Sequence, residues 1–502
     1  MNKMTQKAVF HKRLDWNLST TEVFSAFADT QWAILLDSAN ADHCDARYDV
    51  ICAEPIATLV TQNQSTIVSC AANRQPLISF DGTEHAPQIE AQQYCSVDND
   101  PFALLNDMLA EYYPQSKVSP FIFSGGAMGS FSYDLGRGIE SLPTIAANDI
   151  TLPEMNVGLY DWALIFDYQQ RCWHLVHYLS DTHLLNLETR LNALLLNKTA
   201  QKQPNDSQTH ADFKLTSQWH NQLTKQQYLQ RFERVQEYLL SGDCYQINLT
   251  QRFSAQYQGS EWQAYQALRE TNGAPFSAFM RLAQHAILSI SPERFIQHQQ
   301  GQVQTKPIKG TMPRDKDSER DLQLAEILKV STKDRAENLM IVDLLRNDIG
   351  KVAAPGSVRV PHLFEIESFP AVHHLVSTVT ATLKSGLTPS DLLKACFPGG
   401  SITGAPKIRA MSIIEELEPS RRSLYCGSIG YISQDGNMDT SITIRTLVAE
   451  RNTSGNDNSA SGTLHCWAGG GIVADSKVDA EYQETFDKLS RILPILSELN
   501  QS

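Results

Sequence analysis

Two hydrophobic periods take turns along this chain. Tyr228, Phe232, Val235 and Leu239 recur every three or four residues, the spacing of one helix face. Thr224-Lys-Gln-Gln227 in front of them is a capping-box pattern, and Gly242 behind them ends the helix. The pattern then changes: Tyr245–Phe253 reads as a strand and 277–290, SAFMRLAQHAILSI, as a hairpin. Helical spacing returns in Asp334–Asp348 and in Pro406–Leu417, which has Pro at its first position. GSIGYIS and MDTSITIRTLVAE flank an Asp-Gly turn, the mark of a second hairpin. CWAGGGIVADS is a further strand, and Val478–Leu499 is expected to be one long final helix. Hairpin-joined strands among long helices predict an α+β fold with antiparallel sheets, because regular βαβ alternation is missing.

The period fails in two polar stretches. Residues 197–214, NKTAQKQPNDSQTHADFK, follow an amphipathic segment (Leu184–Leu196) and read as a linker or long surface loop. They divide the chain into an N-terminal region, 1–196, and a C-terminal region, 215–502. Residues 451–462, RNTSGNDNSASG, read as a mobile hairpin loop.

Composition narrows the class. With 42% hydrophobic residues and a net charge of −14, the chain is globular and lacks the basic surplus that nucleic acid demands. Its nine cysteines form no C-x-x-C pair, so neither a disulfide framework nor a zinc site is expected, and a reducing cytoplasm is the simpler setting. The N-terminal residues lack the apolar stretch of a signal peptide, and no apolar run reaches membrane-spanning length.

Several residues could carry chemistry, each with a plainer alternative. Glu481, Glu484 and Lys488 share one helix face, either as a solvated ion-pair row or as part of a cation site. Glu337 shares a face with Ile341 and Leu344, and a carboxylate among apolar residues needs a partner. Carboxylates converging without a His or Cys cluster would suit a hard cation such as Mg²⁺. In FPGGSITGAPKIRAM, 397–411, a glycine-rich turn enters a helix, either as a tight turn or as an anion cradle. Gly469, Gly470 and Gly471 sit inside a strand, as a bulge or as a place where a ligand comes close. Lys309 lies between prolines in PIKGTMPR, in a loop just after a strand; it is a surface charge or, if desolvated, a nucleophilic amine. Glu293 pairs with Arg294 or Arg314, or serves as a general acid.

These segments together resemble the chorismate-utilising enzymes. SGDCYQINLTQRF, SPERF, PIKGT-x-PR, DRAENLMIVDLLRND, VHHLVST, FPGGSITGAPK-x-RAM, CGSIGY, SITIRT, AGGGIVADS and EYQET stand in the family's order between about 225 and 495. The resemblance implies antiparallel sheets packed as a sandwich with surrounding helices. It implies Mg²⁺ held by Glu337 and Glu484 with Glu481 close by. Ser401, Tyr425, Arg445 and the Gly469–Gly471 backbone would grip the two substrate carboxylates, with Lys488 and Gln246 also at the substrate. Glu293 would be the general acid, and His374 would sit near the reacting ring.

Two positions separate the family's branches. Water-adding members carry a lysine base where this chain has Gln246, and anthranilate-forming members read P-I-A-G-T where this chain reads P-I-K-G-T. The resemblance therefore implies amination of chorismate to 4-amino-4-deoxychorismate through a covalent Lys309 adduct, on the route to 4-aminobenzoate and folate. No glutaminase triad is recognisable, so ammonia would come from a separate glutamine amidotransferase subunit. The anthranilate-forming activity, an isochorismate or salicylate synthase, and a non-catalytic subunit are the rival readings. In relatives the segment LLDSANADHCDARYDVICAEP helps to form a tryptophan pocket, here with Ser38, Ala46, Tyr48, Pro275 and Phe276 as candidates; a plain packed strand and turn is the alternative.

Overall fold

The computed structural model describes residues 7–70, 93–96, 100–200, 212–368, 372–452 and 461–499. Two sheets dominate, of thirteen and twelve strands among the described residues. All pairings between these strands are antiparallel, as the hairpin signals predict. The first sheet runs from Phe10–Leu14 through Tyr48–Cys52 and Ile34–Asp37 to Phe276–Arg281, and on through Ser461–Ile472 and Gln246–Gln258 to Lys214–Leu215. The second runs from Ile308–Pro313 and Val372–Thr382 through Arg294–Gln299, Met438–Ile442 and Ser428–Ser433 to Gly126–Phe131, and ends on Gln93–Ser96.

Regions 1–196 and 215–502 thus interleave in both sheets: Ile34–Asp37 pairs with Phe276–Arg281, and Gly126–Phe131 with Ser428–Ser433. The stretch 197–214 is not a seam between separate sheets. Helix Asp181–Ala200 runs into it, and Lys214–Leu215 pairs with Gln246–Gln258. Residues 201–211 lie outside the described residues, as do 453–460 of the loop expected at 451–462; the strands flanking that loop pair with each other.

Strand alternation builds two cores from one sheet. In the first sheet Ile34, Val50, Cys52, Ala278, Met280 and Val448 face a core shared with the second sheet. Their neighbours Leu35, Ile51, Ala53, Phe279, Leu447 and Ala449 face the opposite way, onto a core that includes Phe24, Trp262, Leu268 and Leu496 of the covering helices. Both faces are buried, so these strands read as nearly continuous apolar runs.

The final helix is broken, against expectation. Val478–Asp487 and Leu493–Glu498 are separate helices. Pro494, in the first turn of the second, has no N–H to offer the preceding turn, so a continuous helix cannot pass through it. Among the described residues no helix is long and apolar enough to cross a membrane, and no disulfide forms.

Candidate active site

A cavity of about 610 Å³ opens where the ends of strands Gln246–Gln258 and Ser461–Ile472 meet helices Thr332–Gly350 and Val478–Asp487. Glu293, Lys309, Glu337, His374, Ser401, Tyr425, Arg445, Gly469, Gly470, Gly471, Glu481, Glu484 and Lys488 all line it. Gln246 does not. Its side chain is fully buried behind the wall, where its Nε2 lies at the place a Cβ on Gly471 would need. Asn248, Thr311, Lys333 and Trp467 line the cavity and were not singled out from sequence. For Asn248 a signal existed: polar Gln246, Asn248 and Thr250 alternate with apolar Ile247 and Leu249, so one face of that strand had to meet something polar.

Lys309 lies within strand Ile308–Pro313, not in the loop expected after a strand. The register against Val372–Thr382 slips between Lys309 and Thr311, and Gly310 between them has φ +77°. Such a bulge re-aims the side chain beside it. Lys309 Nζ donates to the Ser401 carbonyl at 3.2 Å. Burial lowers its pKa, opposed by the charges of Glu293, Glu337 and Glu484.

Glu293 is buried and pairs with neither Arg294 nor Arg314. Arg294 turns the other way to make two bonds of 2.8 Å to Asp439, and Arg314 goes to Asp321. Ser401 Oγ donates to Glu293 Oε1 at 3.2 Å. Desolvation raises the Glu293 pKa to about 7 against the pull of Lys309, Ser401 and Lys488, so near neutrality the carboxyl can hold or give up a proton.

Ser401 sits on a loop fixed from outside the cavity. Lys407 Nζ, buried, reaches Asp348 Oδ2 at 2.7 Å and the carbonyls of Cys396 and Pro398, tying helix Lys407–Leu417 and the loop to helix Thr332–Gly350. Arg422, 1% exposed, makes paired bonds to Glu418 and also donates to the carbonyls of Ile402 and Asn248.

Glu481 and Glu484 press on the strand at Gly470, where a Cβ would lie 2.7 Å from Glu481 Oε2. Only glycine lets the two carboxylates come so close to the sheet. The register is unbroken across Gly469–Gly471, so this is no bulge. Glu481 Oε1 accepts from Ser476 at 2.7 Å, while its buried Oε2 has no partner. Burial raises the pKa of Glu481 and of Glu337. Lys488 Nζ joins Glu484 at 2.6 Å and the Gly469 carbonyl at 2.8 Å. Three carboxylates with an orphaned oxygen and no sulfur ligand fit a hard cation. Their donor atoms do not gather as tightly as those of His43, Cys44 and Asp45, the one group of three within 4.8 Å among the described residues. Mg²⁺ takes one or two carboxylates and keeps several waters, so it does not demand a tighter group.

The same cavity also offers a cation to an anion. The Arg445 guanidinium lines the cavity with no hydrogen bond or ion pair of its own among the described residues, and burial lowers its pKa. Tyr425 stacks on Trp467 with ring centroids 6.1 Å apart. His374 Nδ1 lies 2.9 Å from Thr311 Oγ1; burial and Arg445 lower its pKa to about 4, so it is neutral at physiological pH.

A second cavity, about 210 Å³, lies between the sheets. Ser38, Tyr48, Pro275 and Phe276 line it together with Asp45, Arg47, Arg294 and Asp439. Ala46 does not: its N–H closes a turn onto the His43 carbonyl, leaving its neighbours Asp45 and Arg47 on the wall.

A fold of two antiparallel sheets around an acid- and glycine-lined cavity defines the class, and comparison agrees. The profile of the family described as chorismate binding enzyme matches residues 32–494, and this chain belongs to that family. It is 51% identical to aminodeoxychorismate synthase component 1 of Escherichia coli, over 96% of this chain and 97% of that protein. It is 52% identical to the protein of the same name from Klebsiella aerogenes, over 96% and 97%. The crystal structure of anthranilate synthase component I from Streptococcus pneumoniae superposes with a TM-score of 0.72 at 30% identity, covering 90% of this chain and 93% of that one.

Proposed function

We propose that this protein aminates chorismate at C4 to give 4-amino-4-deoxychorismate, in keeping with a 51%-identical relative named aminodeoxychorismate synthase component 1. One observation carries the reading: a desolvated lysine amine and a carboxyl with a pKa of about 7 are tethered to the same residue, Ser401, in one cavity. In the first displacement the neutral Lys309 amine forms a bond to C2, both ring double bonds shift (C1=C2 to C6=C1 and C5=C6 to C4=C5), and the C4 hydroxyl departs as water with the proton of Glu293. In the second, ammonia bonds to C4, both double bonds shift back, and the Lys309 amine is expelled from C2. The enolpyruvyl group stays in place.

Arg445, Ser401, Tyr425 and the Gly469–Gly471 backbone hold the substrate carboxylates, since a dianion needs a guanidinium fork and free donors. Glu337 and Glu484, with Glu481 beside them, would hold Mg²⁺, which when bound neutralises the ring carboxylate. Ammonia comes from a glutamine amidotransferase subunit, in keeping with relatives named as a first component. The second cavity, aromatic and apolar with a few convergent charges, suits tryptophan.

The test is to incubate the protein with chorismate and Mg²⁺, with and without ammonium salt. Aminodeoxychorismate with ammonium, and an adduct mapped to Lys309 by intact mass and peptide analysis without it, support the reading. Anthranilate or isochorismate as product, or an adduct elsewhere, overturns it.

A further inference from the structure

The Ser401 carbonyl that receives Lys309 Nζ at 3.2 Å receives a second donor, Asn248 Nδ2, at 3.0 Å. Both lone pairs of that oxygen are thereby used. Ser401 belongs to a short 3-10 turn, Gly400–Ile402, on an irregular loop, so no strand ladder orients its peptide plane. Asn248 belongs to the long strand Gln246–Gln258, whose ladder with Ser461–Ile472 is unbroken over twelve residue pairs. It is buried, it lines the cavity, and its Oδ1 accepts from Gln246 Nε2 at 3.4 Å, which sets which end of the amide faces Ser401.

We infer that Asn248 is a positioning residue for the amine: it locks the Ser401 carbonyl so that one N–H of Lys309 is held and the nitrogen lone pair is left toward the cavity. The inference rests on the amination reading above only for its kinetic readout. The loop itself does not hang on the Asn248 side chain. The Asn248 N–H donates to the Thr403 carbonyl at 2.9 Å, and Arg422 clasps the carbonyls of Asn248 and Ile402 at 2.7 and 3.0 Å. Removing the amide therefore frees the Ser401 carbonyl while the loop stays docked. A preorganised hydrogen bond of this kind matters because misplacing the reacting atom costs rate even when binding is unchanged.

Two variants separate positioning from folding. Asn248→Leu removes the donor; Asn248→Asp keeps the shape but sets an anionic oxygen against the carbonyl and beside Lys309. The Lys309 titration is followed by competitive acetylation with acetic anhydride across pH, mapped by peptide mass, which needs no substrate. Steady-state amination gives kcat and KM. For Asn248→Leu, kcat falls by ~10-fold or more with KM within about twofold of wild type. For Asn248→Asp, the acetylation midpoint of Lys309 moves up by about one pH unit, because a carboxylate favours the charged amine. If both variants fold and keep the wild-type kcat and acetylation profile, the inference is wrong. If wild type makes no aminodeoxychorismate, the amination reading fails, and an unchanged Lys309 acetylation midpoint in both variants still overturns the inference.

Discussion

Glu293 and Lys309 are held by one residue between them: Ser401 gives its hydroxyl to the acid at 3.2 Å and takes a bond from the amine on its carbonyl, also at 3.2 Å. The proposed reaction gives the two groups opposite needs, a proton on the carboxyl and none on the amine. Desolvation moves both in the required direction, raising the Glu293 pKa to about 7 and lowering that of Lys309. Removing the amine tests the pair most directly. Lys309→Ala is expected to abolish the chorismate adduct and reduce amination by ~10²-fold or more, with an unchanged circular dichroism spectrum.

The acid makes a pH signature. If Glu293 is the general acid of the proposed reaction, loss of its proton above about pH 7 removes it, so kcat/KM is expected to fall on the alkaline side with a midpoint near 7. In Glu293→Gln that limb disappears and the rate is lower by ~10²–10⁴-fold.

Stability falls over the same pH range because of the same group. The folded-state pKa lies above the ordinary 4.5, so the folded protein holds the proton more tightly than the unfolded chain. That contribution is full below pH 4.5 and is lost as pH rises through about 7, an effect of ~3 kcal/mol. Glu293→Gln should therefore raise the denaturation midpoint at pH 8 and leave it nearly unchanged at pH 4.5, as measured by urea unfolding.

The acids against the sheet depend on the missing side chain of Gly470. A Cβ there would lie 2.7 Å from Glu481 Oε2 and 3.2 Å from Glu484 Oε1. Gly470→Ala is expected to push both carboxylates outward and to raise the Mg²⁺ concentration for half-maximal activity by ~10-fold or more. An unshifted Mg²⁺ titration would separate these acids from the metal.

The loop that carries Ser401 relies on a buried charge pair. Arg422 is 1% exposed, and Glu418 is its only carboxylate partner among the described residues. Glu418→Ala should cost about 3–5 kcal/mol in urea unfolding, because it strands a guanidinium in the interior.

The sequence by itself determined what is local: helix and strand periods, the hairpin turns, the acids one helix face apart at 481 and 484, and a glycine run where a strand needs bare backbone. It also supplied the motif set by which the family was recognised before any coordinates. It misjudged the final helix, since the helical apolar spacing continues past Pro494 although the hydrogen-bond ladder cannot. It set Lys309 in a loop, because a bulge is a mismatch between two strands and is invisible in either one alone. It placed Gln246 and Ala46 on cavity walls they do not line. The tertiary structure alone decided that residues 293, 309 and 401, remote in sequence, share one hydrogen-bonded group, and that regions 1–196 and 215–502 weave into common sheets. It also decided the protonation of the site. Glu293 and Lys309 are desolvated by side chains from distant parts of the chain, and desolvation belongs to the packed surroundings of a residue, not to its neighbours in sequence.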